Sequence, residues 1–354
     1  MLSRRAGARA SKADPDRGTT RVSRILRRRE DSVFDRTTCI PRVLASGYGA
    51  GRRPPRLPVA LLLLAWTGAG WGQEAPYRLL ASWKAGPEVQ EVHSLCFDRD
   101  GHLILVDSIA SRVHRYTRDG KRLGEIGRGP GSGEGEFAGP RDAKVSPAGE
   151  IFISDGNNQR VQVFDRQGRF LRAFGSKGKG RGQLLRGHAL DFGPDGNVYL
   201  VDVDNSRIII FDPSGKFLGA WGKAGKGPGL FNAPHGLGFD PEGNLFVSNY
   251  YGPCQKFTAA GRFLLEFAPA GYRSWAFFHA MATDSKGNVY LAARDSSRKR
   301  NAVVMFDNQG GFLCEFSPSS GRVVKNVAVD GQGLVFVAAD SKDFHGIEIF
   351  GPGQ

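Results

Sequence analysis

Four of the seven histidines in this 354-residue chain, His93, His188, His235 and His279, occupy one position of an internal repeat. Six stretches align: HSLCFDRDGHLILVD from His93, RDAKVSPAGEIFISD from Arg141, HALDFGPDGNVYLVD from His188, HGLGFDPEGNLFVSN from His235, HAMATDSKGNVYLAA from His279 and KNVAVDGQGLVFVAA from Lys325. Neutral imidazole ligates metals and carries protons near physiological pH. A position filled by His93, Arg141, His188, His235, His279 and Lys325 in turn is therefore a candidate for chemistry. If the repeats close into a ring, His93, His188 and His279 approach its axis from three equally spaced directions. Three imidazoles with an open fourth position form the donor set of a catalytic zinc, with Zn–N bonds of about 2.0–2.1 Å. Other transition metals that accept nitrogen fit the same set. The competing expectation is a ring of solvated polar side chains around a water-filled channel.

The elements that would position these residues follow from the repeat. The turn glycines Gly101, Gly149, Gly196, Gly243, Gly287 and Gly333 lie 44 to 48 residues apart. Each unit holds a short strand, a glycine turn, an apolar strand such as NVYLVD, a polar loop such as DNSR, and a third strand such as IIIFD. A second turn then leads to a fourth strand such as KFLGAWG. Four strands in such a period make one propeller blade, whose innermost strand lines the central channel. The sixth unit runs out after its third strand, GIEIFGPGQ, and the missing fourth stands at the front as YRLLASWK (77–84). The fold expected is thus all-β: one six-bladed β-propeller over residues 73–354. Its ring is closed by pairing the N-terminal strand with the C-terminal blade, which also covers exposed strand edges.

The segments GEIFISDGNNQRVQVFDRQGRFLRAFG and GNVYLVDVDNSRIIIFDPSGKFLGAWG resemble NHL repeats, a family of six-bladed β-propellers. The resemblance extends over nearly all of residues 77–350. It is closest in blades 2 and 3 and loosest in blades 5 and 6. The histidine register is in turn similar to peptidyl-α-hydroxyglycine α-amidating lyase, which binds zinc through histidines in Pro-His motifs on alternate blades. In that family the intervening blade carries a P-x-D start and an SDG strand end. Here Pro140, Arg141, Asp142 and Ser154, Asp155, Gly156 stand in those places. The resemblance implies His93, His188 and His279 as metal ligands, with zinc as cofactor. Asn157 replaces the lyase's catalytic tyrosine, Val203 its arginine, and Ala280 an aspartate that helps hold a structural calcium. Tyr250, Tyr251 and Arg141 are the residues able to take over polar roles.

Other features read as structural. The glycine-rich runs at 127–137, 175–185 and 222–231 have no helix after them, so they are expected to be blade connectors rather than phosphate cradles. The pairs Asp107/Arg112, Asp155/Arg160 and Asp202/Arg207 recur at a fixed offset and are expected to pin neighbouring blades. Phe164, Phe211, Phe257, Phe306 and Phe350 share one strand position and belong to the inter-blade core. No Ser-His-Asp set, Cys-His pair or distinct carboxylate pair stands out.

Charge and cysteines narrow the classes further. Of the net charge of +14, residues 1–72 account for +10, so the body carries little support for nucleic-acid binding. RRPPR (52–56), the apolar run LPVALLLLAW (57–66) and the small residues Gly70 and Gly72 predict an export signal over 51–72, cut after Gly72. An uncleaved anchor is the alternative, although the apolar run is short for a membrane span. Residues 1–50 are either a disordered extension or the result of a start placed too early. Beyond Cys39 in the leader, Cys96, Cys254 and Cys314 allow at most one disulfide. Two functions are expected. One is an exported monomer that binds a protein or small-molecule ligand on one face, with Arg141, His235 and Lys325 completing the channel ring. The other is a zinc-dependent lyase of the amidating type. RNA binding, known from other NHL proteins, is disfavoured by the leader and the near-neutral body.

Overall fold

The computed structural model describes residues 77–269, 277–295 and 300–353; the leader lies outside them. They build six four-stranded antiparallel sheets arranged as blades. The inner strands are Ser94–Phe97, Pro140–Val145, Gly187–Phe192, Pro234–Phe239, Phe277–Thr283 and Val323–Val329. Each touches the inner strand of the next blade, and the last touches the first, so the ring is closed. Two short 3₁₀ turns, Gly156–Asn158 and Val203–Asn205, are the helical segments among the described residues. The six turn glycines expected from the repeat all adopt φ between +74° and +89°, where a Cβ is disfavoured.

Closure occurs as the repeat alignment implies. Tyr77–Lys84 pairs antiparallel with Phe344–Pro352, from Tyr77↔Pro352 to Lys84↔Gly346 with a register shift between Leu79 and Ala81, and completes blade 6. Its side chains also grip both neighbours. Trp83 stacks on Tyr116 of blade 1 at 5.4 Å and donates its indole N–H to Arg118 O at 3.0 Å, while Tyr77 stacks on Phe316 of blade 5 at 4.9 Å.

Six apolar clusters lie between the six blades. Phe164, Phe211, Phe257, Phe306 and Phe350 each sit in one of them, at most 3% exposed. Burying such a side chain stabilises the fold by roughly 1.5–3 kcal/mol. The sixth cluster, between blades 6 and 1, holds Tyr116 in the corresponding place. The phenylalanine pattern missed it because blade 1 uses a tyrosine there.

The Asp–Arg pairs behave as expected in two blades of the three. Arg160 Nε donates to Asp155 at 2.9 Å and its Nη2 donates to Gly133 O and Glu136 O. Arg207 does the same with Asp202, Gly180 O and Gln183 O. The glycine runs are thereby fastened as connectors between blades. In blade 1 the expected Asp107–Arg112 bond is absent: Arg112 turns to Glu125 at 2.7 Å, and Asp107 accepts from Gln90 N and Ala110 N instead. The cause lies on the outer strand. Glu125 pairs with His114, where blades 2 and 3 pair Ala173 with Gln162 and Ala220 with Ile209. Of these three blades, blade 1 alone offers the arginine a competing carboxylate there; blade 5 does the same, with Arg300 paired to Glu315.

Asp155 is fully buried and accepts from Ala138 N, Asn158 Nδ2, Arg160 Nε and Gln162 Nε2. Removing it strands several buried donors, one of them charged. Asp155→Ala is therefore expected to lower unfolding stability by about 3–5 kcal/mol, measured by urea denaturation. A loss below 1 kcal/mol would contradict the role.

His114 gives the fold an acid sensitivity. It is fully buried beside Glu125, and burial pushes its pKa below the ordinary value. An unfolded histidine takes a proton near pH 6.5, whereas the folded one resists until lower pH. Stability should therefore fall as pH drops below about 6.5, by at most about 1.4 kcal/mol per pH unit for this proton, and level off at the folded pKa. Urea midpoints at pH 7 and 5.5 should converge in His114→Phe relative to wild type; an unchanged difference would rule His114 out as the source.

Candidate metal centre in the channel

Each inner strand starts at the same face of the ring and brings its first residues to the axis. His93 precedes the blade 1 strand, and His188, His235 and His279 lie near the starts of theirs. The ring centroids of His93, His188 and His279 stand 5.5, 5.1 and 6.0 Å apart, a nearly equilateral triangle. With Zn–N bonds of about 2.0–2.1 Å, coordinating imidazoles hold their centroids roughly 5 Å apart. His235, expected as a separate ring member, joins the group at 4.4 Å from His188 and 5.9 Å from His279.

Hydrogen bonds fix how these rings present themselves. His279 Nδ1 lies 3.0 Å from Lys325 O, and His235 Nδ1 lies 3.2 Å from Ala233 O. A carbonyl oxygen only accepts, so both rings carry the proton on Nδ1 and keep the Nε2 lone pair free. His93 Nδ1 faces Glu91 Oε2 at 3.3 Å, an ion-pair distance rather than a formed hydrogen bond. Glu91 also meets Lys325 Nζ at 2.6 Å. Burial alone would raise the Glu91 carboxyl, but His93 and Lys325 outweigh it and hold it at about 2. Carboxylates and carbonyls on the far nitrogen are what orient metal-bound histidines. Ala233 takes φ +56° just before Pro234, and its carbonyl accepts from Tyr250 N–H as well as His235. A left-handed alanine is strain of the kind found at working sites.

Burial drives His188, His235 and His279 toward the neutral form. His188 and His279 are pushed well below the ordinary value by burial and then by neighbouring histidines, and His235 falls to about 4, chiefly by burial. Neutral rings keep the lone pairs that a metal requires. Both nitrogens of His93 and Nδ1 of His188 are buried without a hydrogen-bond partner. Buried polar atoms are nearly always satisfied, so these fit an ion or water between the rings. A cavity of about 10 Å³ bounded by His93, His188, His279, Arg141, Asp142 and Asn326 has room for one such species.

Among the described residues, the cluster whose ligand atoms all lie within 4.8 Å of one another is Asp98, Asp100 and His102 on a surface turn. Its carboxylates already meet Arg115 and Arg166. The channel nitrogens stand wider than that, so closing them on one ion takes ring rotations.

The remaining ring residues surround this centre. Arg141 lines the same cavity with Nε unsatisfied, its pKa lowered by burial and then by Arg186. Lys325 holds Glu91. Tyr250 lies against His235 at 4.6 Å, while Tyr251 is 46% exposed on the rim. Asn157, in the lyase tyrosine's place, donates its backbone N–H to Ala138 O. Glu91 was missed from the sequence, although its place two residues before His93 in an extended segment puts both on one side. The three cysteines of the body are free buried thiols, so no disulfide forms among them.

Residues 137–164 match the family model described as NHL repeat. A segment of 52 residues is 42% identical to Protein brain tumor of Drosophila melanogaster, covering 15% of this chain and 5% of that protein's length. Among solved structures, virginiamycin B lyase from Staphylococcus aureus aligns with TM-score 0.55 and 12% identity, over 78% of this chain and 89% of its own. A gluconolactonase from Xanthomonas campestris aligns with TM-score 0.54 and 14% identity, over 79% and 89%. A streptogramin B lyase structure gives 0.57 and 14%, over 79% and 100%. Identities this low speak for the fold alone. Taken with the six blades and the matched repeat, they show a six-bladed β-propeller that carries an NHL repeat.

Proposed function

We propose that the protein is an exported metal-binding propeller. Its channel holds a zinc-class ion on His93, His188 and His279 and presents it to a small-molecule ligand at the mouth. What carries this reading is the convergence of three imidazoles, with both nitrogens of His93 and Nδ1 of His188 buried and unpartnered and with His279 Nε2 left free by the Nδ1 bond to Lys325 O. When bound, such an ion polarises a ligand oxygen or lowers the pKa of a water. The chain's own part is positional. Glu91 and the carbonyls of Ala233 and Lys325 orient the rings, and Arg141 offers a donor to an oxygen entering the cavity. The export leader supports placement outside the cytoplasm, and the small net charge of the body argues against a nucleic-acid partner.

Equilibrium dialysis of the chelator-treated mature chain against zinc should give close to one bound equivalent. No uptake would leave a metal-free binding platform. Amidating-lyase activity is a second reading, favoured by Tyr250 lying against His235. It requires a peptide ending in α-hydroxyglycine to release glyoxylate and the peptide amide in a zinc-dependent way; absence of glyoxylate from the zinc-loaded protein would remove it.

A further inference from the structure

A cleft of about 550 Å³ opens beside the histidine centre, in the range of roughly 300–1,000 Å³ typical of small-molecule pockets. Leu230, Pro253, Ala268 and Phe278 supply apolar surface, Tyr251 supplies an exposed aromatic ring, and Lys226 is the single charge on the lining. The polar side chains there are occupied with the walls themselves. Gln255 accepts from Gly229 N and donates to Gly227 O and Leu230 O. Asn232 donates to Tyr251 O, and Asn249 accepts from Asn232 N and donates to Pro253 O. A visitor therefore meets rigid walls that are mainly apolar and aromatic.

The cleft and the channel cavity share no lining residue but are neighbours: Asn249 of the cleft pairs with Pro234, the residue before His235. Tyr251 packs edge-on against Tyr250 at 4.9 Å, and Tyr250 lies against His235 at 4.6 Å, so two ring contacts join the cleft to the centre. Phe277 packs on Tyr250 at 4.6 Å and on Tyr251 at 5.5 Å, closing that wall. Consecutive residues of one strand divide between the two spaces: Phe278 lines the cleft and His279 the channel cavity.

We infer that this cleft holds the flat aromatic body of a ligand whose polar, metal-seeking head reaches the histidine centre. The substrate class is thus an aromatic small molecule carrying a nitrogen or oxygen donor on a short arm. The head contact rests on the proposed metal; the aromatic pocket does not. The test uses the full mature chain loaded with zinc and three probes of increasing aromatic reach: imidazole, 1-benzylimidazole and 1-(4-phenylbenzyl)imidazole. Affinity by calorimetry should rise at least 10-fold from the first to the last. Tyr251→Ala and Leu230→Asp should erase that gain while leaving imidazole unchanged. Equal affinities across the series, or a gain that survives both substitutions, would overturn the inference. Should the protein take up no zinc, 4-methylbiphenyl, which has no ligating head, separates the two ideas. Binding of it that is lost in Leu230→Asp keeps the aromatic pocket while removing the metal; no binding removes the pocket too.

Discussion

His188→Ala should abolish high-affinity zinc binding, weakening it on the order of 100-fold or more. Loss of a partner that merely orients a ligand typically costs 10–100-fold, so the effect should exceed that range. His188 lies within 4.4 to 6.0 Å of His235, His93 and His279. It is 7% exposed and its Nδ1 has no protein partner, so its removal opens space without stranding a structural hydrogen bond at that atom. The variant should accordingly fold, and thermal unfolding of the metal-free forms should differ little. His235→Ala, whose ring is tied to Ala233, should weaken zinc by roughly 10-fold, as expected of a neighbour that supports the ligands. Competition against a chromophoric chelator measures both. Zinc affinity in His188→Ala equal to wild type would show that the ion sits elsewhere.

Deleting Tyr77–Lys84 should do the greatest damage to stability. That strand is the fourth of blade 6 and the seam of the ring. Without it Phe344–Pro352 becomes an open edge, which invites pairing with other chains. The Trp83–Tyr116 and Tyr77–Phe316 stacks between neighbouring blades disappear as well. A loss of several kcal/mol lowers the midpoint by on the order of 10 °C in a domain of this size. The truncated chain should unfold at least that much earlier, or aggregate, by calorimetry and size-exclusion chromatography. A cooperative transition within about 2 °C of wild type would mean that the ring holds without its seam.

The ring was legible because one period governs the whole body. The glycine turns recur, the terminal repeat lacks a strand, and the missing strand stands at the other end of the chain. The convergence of His93, His188 and His279 followed from their shared register, since equal positions on inner strands meet at one axis. What escaped is what departs from the repeat. Glu91 lies ahead of the aligned unit. Arg112 was misassigned because its partner is chosen by Glu125, a residue on another strand whose counterparts in blades 2 and 3 are alanines. The left-handed Ala233 has no signature in sequence, since alanine seldom adopts that conformation. His235 was placed on the ring, but its approach to His188 depends on the Ala233 carbonyl that turns its imidazole.

Zinc K-edge X-ray absorption of the loaded mature chain tests the metal centre most directly. The account requires about one zinc per chain with at least three imidazole nitrogens near 2.0–2.1 Å. That pattern should vanish in His188→Ala. A shell made mainly of oxygen, as Asp98 and Asp100 would supply, or a spectrum unchanged by the substitution, would contradict it.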